Sequence, residues 1–333
     1  MTIANIAACR VTMDGKDLTD IIRPRLQSLT ITEKRGDEAD QLDIVLDDSD
    51  GGIALPSAGV ILQVELGWLQ GSAVKPGLID KGRFKVDEVE HSGAPDIITI
   101  RARSADFASS LRTRREKSWH DTTIGAIVSE VAKKNKLQAR CAPALASIAV
   151  KTHAQSRESD MAFLRRLGRE HDAVATIKQG ALIFLPIGAG QTPSGRTLPL
   201  IEIARSNGDR HAYRIEKREE AGGVSAQWHD RGEAKRKTVT VGSADSAKKL
   251  SRVYASEAEA QRAAKAARAR AARQPVTLSL NLALGRPDIF PEQKTRVSGF
   301  KEPINMTSWL VQETIHTLSE KGLVTSLKLE NLP

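Results

Sequence analysis

The tripeptide Glu170-His171-Asp172 contains side chains that could bind a metal ion or transfer a proton. Carboxylates and imidazoles are common zinc ligands and common general acids and bases. The residues from about Ser159 onward predict an amphipathic helix, and three consecutive helical residues point about 100° apart. The three side chains therefore cannot converge on one ion. We interpret the tripeptide as structural, with His171 placed at the negative end of the helix dipole.

The sequence contains no other pattern that predicts catalysis. It has no His-Glu-x-x-His zinc motif, no Gly-x-Ser-x-Gly nucleophile elbow and no Gly-rich phosphate loop. The stretch 47–52, DDSDGG, lacks the glutamate that a calcium loop requires at its twelfth position. A glycosidase-type carboxylate pair stays open, because its separation is a three-dimensional property. We expect no catalytic residue, no cofactor, no metal and no enzymatic activity.

Composition predicts a soluble, globular protein with room for two or three domains in 333 residues. Apolar residues make up 40% of the chain and aromatic residues only 4%, which argues against large base-stacking surfaces. The N-terminus has no signal-peptide pattern, and no apolar run is long enough to span a membrane. We expect folding in the bacterial cytoplasm and no membrane anchor. Cys9 and Cys141 are expected to be buried thiols.

The charge of the chain is distributed unevenly. Residues 1–110 contain 12 Lys and Arg against 18 Asp and Glu, whereas the other 223 residues contain 38 against 23. This asymmetry indicates that different faces or ends meet different partners. The basic residues are scattered, so we expect no sequence-specific binding of nucleic acid.

Alternating apolar residues predict that residues 1–110 form short antiparallel strands, as in a barrel or a sandwich. In the stretch 60–68, every second residue from Val60 to Trp68 is apolar, and Asp14-Gly15 predicts a hairpin turn. Residues 111–190 predict a small α/β module with a helix after Thr123, a second helix from about Ser159 and a hairpin in 173–186.

Residues 191–333 predict a second strand-rich segment that contains one long helix, 256–273. Ser256 and Glu259 form a capping box at its start. Alternation in 276–284 and a hairpin turning at Lys321-Gly322 predict the closing strands. The helix has an alanine face that could pack at a contact between subunits or on its own domain. Its members are Ala263, Ala264, Ala267 and Ala271.

Three stretches of the chain, in order, resemble the phage late control protein D family, the baseplate hub proteins of contractile-tailed phages and phage-tail-like bacteriocins (tailocins). They are 82–107, 158–173 (ESDMAFLRRLGREHDA) and 308–330. The middle stretch is also similar to the hub half of the type VI secretion spike protein VgrG. The residues that match the family motifs are Glu158, Ser159, Asp160, Phe163, Leu164, Arg166, Leu167, Trp309, His316 and Gly322.

The resemblance implies an α+β, mainly β fold, with two antiparallel tube-like β-barrels (1–110 and 191–333) flanking the α/β module (111–190). It implies a ring-shaped homotrimer that joins the sixfold tail tube to the threefold central spike. The implied partners are the spike protein, the tail tube protein or a tube initiator, other baseplate proteins and the tape measure protein. VgrG continues into a spike, so here the spike is expected to be a separate polypeptide. The implied location is a virion tail or a tailocin baseplate.

Alternatives from other classes of protein stay open at this point. One is a tail-associated protein that binds or lyses the cell wall, and another is a DNA-binding late regulator, suggested by the basic helix 262–273. In a third, the module 111–190 binds peptidoglycan or a partner protein by itself.

Overall fold

The computed structural model describes residues 3–36, 39–104, 111, 113–178, 180–191, 196–216, 222–230, 232–273 and 276–332. Strands β1 to β12 are Ile6–Met13, Lys16–Asp17, Leu26–Lys34, Gln41–Asp47, Ile61–Gln70, Gly77–Ser92, Ile97–Ser104, Arg114–Thr123, Gln138–Cys141, Ala149–Ser159, Ala173–Lys178 and Ala181–Pro186. Strands β13 to β21 are Ile201–Ala204, Gly208–Ile215, Gly223–Asp230, Lys235–Gly242, Ala247–Tyr254, Val276–Leu282, Lys294–Ser298, Trp309–Ser319 and Gly322–Asn331.

Helices α1 to α6 are Thr19–Ile22, Ile124–Lys134, Pro143–Ala146, Asp160–His171, Glu257–Arg273 and Glu302–Asn305, and single 3₁₀ turns lie at Arg23–Arg25 and Arg205–Asn207. The chain divides into two compact units. The first comprises Met1–Phe107, Pro199–Tyr213 and Leu278–Leu329, and the second comprises Ala108–Leu198, Arg214–Thr277 and Glu330–Pro333.

The first unit is built on one sheet, which has thirteen strands within the described residues. Its main path runs β14-β18-β21-β20-β3-β4-β7-β6-β5-β1-β2, while β19 also pairs with β20 and β13 pairs with β19. The antiparallel pairing of β20 with β3 joins the two ends of the sequence, from Glu313 opposite Lys34 to Ser319 opposite Ser28. Strands from both ends of the chain therefore share one sheet.

In the first unit, the alternation of apolar and polar side chains corresponds to the buried and exposed sides of the strands, as the sequence predicted. Leu62, Val64, Leu66 and Trp68 of β5 are buried, which confirms the predicted strand. The turn between β1 and β2 lies at Asp14-Gly15, where both residues have positive φ, 48° and 85°. That is the backbone expected of a type I′ hairpin turn.

One hydrophobic core is shared by β1, β3, β4, β5, β6, β7 and the closing hairpin, which contributes Leu318 and Leu323. In β18, Leu278, Leu280 and Leu282 are buried as predicted. Leu284 departs from the prediction, because β18 ends at Leu282 and Leu284 is 36% exposed.

The second unit contains three smaller sheets within the described residues. They are the ribbon of β8 and β10, the sheet β11-β12-β9 and the sheet β16-β15-β17. Helix α2 buries Ile124, Ile127, Val128 and Val131, as its spacing predicts, and the Thr123 hydroxyl caps it by accepting from the Ala126 N–H. The predicted hairpin of residues 173–186 is formed by β11 and β12.

Helix α5 packs on the sheet β16-β15-β17 of its own chain. The Ser256 hydroxyl accepts a hydrogen bond from the Glu259 N–H at 3.3 Å, which confirms the predicted cap. The alanine side of the helix contacts Val224 and Ala226 of β15 and Tyr254 of β17. Small side chains let the helix axis approach the sheet closely.

The predicted mainly β class is confirmed. The domain ranges 1–110, 111–190 and 191–333, the two barrels and the trimer stay predictions. Residues 105–107, at the end of the first resembling stretch, lie outside the described residues. Among the helices described, none is both long and apolar enough to cross a membrane.

Candidate functional site

Helix α4, which carries most of the resembling residues, begins and ends at residues suited to those positions. Ser159 is its N-cap and accepts a hydrogen bond from the Ala162 N–H at 3.2 Å. Asp160 lies in the first turn, where a negative charge favours the helix dipole. Asp172 ends the helix in the left-handed conformation, with φ 52° and ψ 45°. The sequence prediction of a helix from about Ser159 is confirmed.

Asp160 is fully buried and is surrounded by donors. Its carboxylate accepts hydrogen bonds from Arg115 Nε at 2.5 Å, Gln155 Nε2 at 2.9 Å and Lys134 Nζ at 3.1 Å. Burial alone would raise the pKa of Asp160, but the hydrogen bonds from Gln155, Arg115 and Lys134 outweigh it and hold the pKa below its usual value. Because the donors to this buried carboxylate come from β8, β10 and α2, its hydrogen bonds hold helix α4 against these three elements.

The apolar side of α4 is sealed against the β8-β10 ribbon. Phe163, Leu164 and Leu167 are fully buried, as the helical spacing predicts. The Phe163 ring stacks on the Trp119 indole, with centroids 5.9 Å apart and planes 9° apart. The His153 imidazole meets the same phenyl ring edge-on, with centroids 5.7 Å apart. These residues form a packed core at this face of the helix.

The other side of the helix contains a network of ion pairs. Arg166 pairs with the Glu158 carboxylate through both Nε and Nη2 and also donates from Nη2 to the Ala154 carbonyl at 2.8 Å. Glu170 pairs with Arg252 of β17, and its Oε2 lies 3.4 Å from His153 Nε2. Burial would raise the pKa of Glu170, but the hydrogen bond from His153 and the neighbouring arginines lower it overall. The network links α4 to β10 and β17.

The tripeptide Glu170-His171-Asp172 does not form a site. Glu170 points to Arg252, and Asp172 forms a bidentate ion pair with Arg273 of α5. Burial lowers the pKa of His171 to about 4, so its imidazole is neutral at physiological pH and does not act as the predicted cation. Within the part of the chain that the structure describes, no group of three or more His, Cys, Asp and Glu could hold a metal ion.

A second cluster of charged side chains is buried in the first unit and was missed by the sequence reasoning. Lys81 Nζ of β6 lies 2.6 Å from Glu33 Oε2 of β3, and both side chains are at most 3% exposed. His316 of β20 places its Nε2 3.4 Å from the same carboxylate oxygen and is fully buried. The Thr314 hydroxyl donates to Glu33 Oε2 at 3.2 Å. One charge of each sign is therefore paired in the interior.

The geometry of this cluster satisfies the lysine and selects a tautomer of the histidine. An ammonium has three protons, and Lys81 Nζ lies within reach of Glu33, of the Pro287 carbonyl at 3.0 Å and of His316 Nε2 at 3.3 Å. When His316 Nε2 accepts the hydrogen bond from Lys81, the proton of the neutral imidazole is on Nδ1. This nitrogen lies 2.9 Å from the Thr325 hydroxyl. Burial and the charge of Lys81 lower the pKa of His316, so the ring is neutral.

Trp309 and Gly322, which also match the family motifs, have structural surroundings. The Trp309 indole is fully buried and donates from Nε1 to the Ile304 carbonyl at 3.0 Å. Gly322 begins β21 with φ of +97°, a conformation that favours glycine, and a Cβ there would meet nothing within 4 Å. The closing hairpin therefore depends on glycine for its backbone, not for space.

The alanine face of α5 is divided between burial and exposure. Ala263 and Ala264 are buried against the sheet of their own chain, Ala267 is half-buried and Ala271 is exposed. Packing within the chain accounts for the first three of these residues. The role of the helix at a contact between subunits stays a prediction, now centred on the side that carries Ala271.

Each of the two clusters holds strands and helices together within its own unit. The charged groups of each cluster are paired with one another across these elements. Each carboxylate in them is paired with Arg or Lys, and neither histidine has the free geometry of a general base beside a nucleophile.

The fold of the chain is similar to that of solved phage tail proteins. A 43 kDa tail protein of prophage MuSo2 from Shewanella oneidensis superimposes with a TM-score of 0.71 at 12% identity, over 97% of this chain and 98% of that one. A chain of the Francisella PdpA–VgrG complex superimposes with a TM-score of 0.56 at 8% identity, over 99% of this chain and 58% of that one. At these low sequence identities, both comparisons show a similarity of fold.

Sequence comparison defines the family within this class. The phage tail baseplate hub (GPD) family matches residues 56–322. The probable baseplate hub protein of Escherichia phage 186 is 43% identical over 97% of this chain and 92% of that protein. The chain belongs to the phage tail baseplate hub family, which confirms the resemblance and the predicted function as a structural baseplate hub. The lytic and DNA-binding alternatives are not favoured.

Proposed function

We propose that this hub is a non-enzymatic homotrimer of a contractile tail, in which it joins a sixfold tail tube to a threefold central spike. Each copy would contribute two tube-like β-barrels, so that six barrels surround a channel. Its direct partners are the spike protein, the tail tube protein or tube initiator and other baseplate proteins, with the tape measure protein near the channel. It is assembled in the bacterial cytoplasm and located in the tail of a virion or the baseplate of a tailocin.

One observation supports the barrels above the others. The inward side chains of β1, β3, β4, β5, β6 and β7 belong to a single core cluster, to which the β20-β21 hairpin adds Leu318 and Leu323. Strand β1 lies at the far end of the sheet path from β20, yet the two are in contact. A sheet whose distant strands meet around one core is curved toward closure.

The uneven charge supports a role as an adaptor between unlike partners. Residues 1–110 are acidic and the remaining residues are basic. Where these two regions reach the surface they would present opposite charge, and oppositely charged surfaces select different partners. In a ring of three copies, the same two surfaces recur around the axis.

Mass measurement of the purified chain by light scattering and mass photometry tests the trimer. The expected mass of the chain alone is three times the 36.2 kDa of one copy, and its complex with the spike protein should contain three copies of the chain. A chain that stays monomeric alone and in the presence of spike and tube proteins would contradict the proposal.

A pair of helix variants tests whether α5 lies at the subunit contact. Ala271 and Ala258 are both exposed on this helix. If the side carrying Ala271 faces a neighbouring copy, Ala271→Glu dissociates the trimer, whereas Ala258→Glu leaves its mass unchanged. If both variants keep the mass of the trimer, α5 does not lie at the subunit contact, and the proposal of a trimer itself is unaffected.

A further inference from the structure

A cleft in the first unit lies where two edges of the sheet are unpaired. Within the described residues, β13 pairs only with β19 and β14 pairs only with β18, so each has one free edge. The two strands follow one another in the chain and are joined by the 3₁₀ turn Arg205–Asn207. Residues of both strands line a single cavity of about 380 Å³. This volume is within the range of about 300–1,000 Å³ that is typical of ligand sites.

The connection between the strands keeps the cleft open. Asn207 Oδ1 accepts from the Ala204 N–H at 2.8 Å, and the Asn207 carbonyl accepts from the Ala283 N–H at 3.2 Å. A Cβ at Gly208 would lie 2.6 Å from the Asn281 carbonyl oxygen, so glycine lets β14 approach β18 closely. Strand β14 is therefore held on β18 and away from β13.

The walls of the cleft are apolar and its rim is basic. Ile203, Leu280 and Leu282 are at most 5% exposed and line it, together with Phe300, whose ring meets the His211 imidazole edge-on at 5.0 Å. Arg205 and Arg210 also line the cleft and are exposed.

Ion pairs within the described part of the chain do not neutralise the charge at the rim. Neither Arg205 nor Arg210 has an ion-pair partner within 4 Å among the described residues. Asp209 is the one carboxylate among the lining residues, which also include the two arginines and His211. The site therefore favours negatively charged groups.

We propose that this cleft binds an extended acidic segment of another protein, which pairs as an added strand with the free edge of β14. The free N–H and C=O groups of an edge strand are a template for such pairing. Alternate side chains of the segment would point to the apolar wall formed by Leu280 and Leu282, and the intervening carboxylates would meet Arg205 and Arg210. The inference goes beyond the proposed function, because it does not depend on the trimer.

Peptide binding to the full chain tests the proposal. The probe is a fluorescein-labelled peptide of sequence Glu-Val-Thr-Val-Glu-Val-Asp. One control peptide has lysine in place of every acidic residue, and another has proline in place of the central valine. We expect the acidic peptide to bind and both controls to bind at least about tenfold more weakly, because one lacks the charge and the other the strand-pairing N–H.

Protein variants locate the binding. The double variant Arg205→Glu/Arg210→Glu should weaken the acidic peptide at least about tenfold. The control Arg296→Glu changes an arginine that is 70% exposed on β19 and outside the cleft, and it should leave affinity unchanged. Hydrogen exchange should show new protection of residues 208–213 when the acidic peptide is bound.

Three results would overturn the proposal. The first is that the acidic peptide does not bind, which would mean that the arginines only protect the edge against pairing. The second is equal affinity of the wild-type chain for the acidic and the proline peptides. The third is equal affinity of the wild type and the double variant for the acidic peptide. If residues 208–213 become protected with increasing protein concentration and no peptide, a second copy occupies the cleft and the assignment to another protein is wrong.

Discussion

Replacing Lys81 with methionine should destabilise the first unit by about 3–5 kcal/mol, the usual cost of breaking a buried ion pair by removing one partner. The lysine side chain is 0% exposed, and its Nζ lies 2.6 Å from Glu33 Oε2. Methionine fills much of the same volume but brings no charge. The variant would leave the Glu33 carboxylate buried with the Thr314 hydroxyl, 3.2 Å away, as a neutral donor.

The same variant should reverse the pH dependence that His316 contributes. In the wild type, burial and the charge of Lys81 lower the pKa of His316. The unfolded state then binds the proton more readily, so stability falls as the pH drops below about 6.5. Without Lys81, Glu33 Oε2, 3.4 Å from His316 Nε2, should raise that pKa above the unfolded value. The added stability is then fully present below about pH 6.5 and is lost as the pH rises through the folded pKa.

The stability that the variant regains on acidification comes from one bound proton, and one proton can change the free energy of unfolding by at most about 1.4 kcal/mol per pH unit. Acidification from about pH 8 to about pH 6.5 should therefore recover up to about 2 kcal/mol of the loss in Lys81→Met. Relative to the wild type, the deficit of the variant should shrink as the pH falls. Adding His316→Gln to the variant should abolish this recovery.

Native-state hydrogen exchange measures the effect where it occurs. The opening free energies of residues 309–329, which lie in β20 and β21 and in the turn between them, report on this region separately from the second unit. The matched control is Lys85→Met, a change of the same kind at an exposed position of β6, with an expected effect within about 0.5 kcal/mol. A loss below about 1 kcal/mol for Lys81→Met at about pH 8, or a deficit that grows on acidification, would refute the reasoning.

Further predictions concern α4, β5 and one thiol. Asp160→Asn should lower the free energy of unfolding, measured in urea, by about 3 kcal/mol, because Arg115 loses its buried anion. The pKa of Asp160 is lowered in the folded state. The stability that its carboxylate contributes is therefore present above about pH 4 and is lost as the pH falls through the folded pKa. Ser159→Ala should cost about 1 kcal/mol in the same assay through loss of the N-cap, and a result near zero would contradict the cap. Gly67→Ala should prevent folding by circular dichroism, since a Cβ would lie 2.0 Å from the Gly77 carbonyl oxygen, whereas Gly232→Ala meets nothing closer than 3.4 Å and should fold. Burial raises the pKa of Cys141 to about 11, so its alkylation by iodoacetamide at about pH 8 should be roughly a hundredfold slower than that of an unfolded control.

Local patterns in the sequence were sufficient for the three longest of the described helices and for many of the strands. The spacing of Ile124 to Val131 and the caps Thr123 and Ser159 predicted α2 and α4, since both signals act within one or two helical turns. The pairing of β20 with β3 has no local signal, because it joins residues about 280 positions apart. It depends on the whole core being formed.

The buried ion pair was also beyond the local patterns, but it left a trace in them. Leu29 and Ile31 mark the buried side of β3, and Glu33 follows two residues later on the same side. A charged residue in register with an apolar alternation is a signal of a buried partner. The identity of that partner, Lys81 in another strand, could not be read from spacing.

The position of this pair suggests why a structural protein would keep buried charges. A buried ion pair adds little net stability compared with apolar side chains of the same size. A shift of one residue between β20 and β3 would turn His316 and Thr314 to the opposite side of the sheet and leave Glu33 with fewer donors. The wrong register would then cost several kcal/mol, the price of an uncompensated buried charge. We infer that Glu33, Lys81 and His316 fix the register in which the closing hairpin joins the first strands, and a hub that must present a defined surface to its partners needs one register.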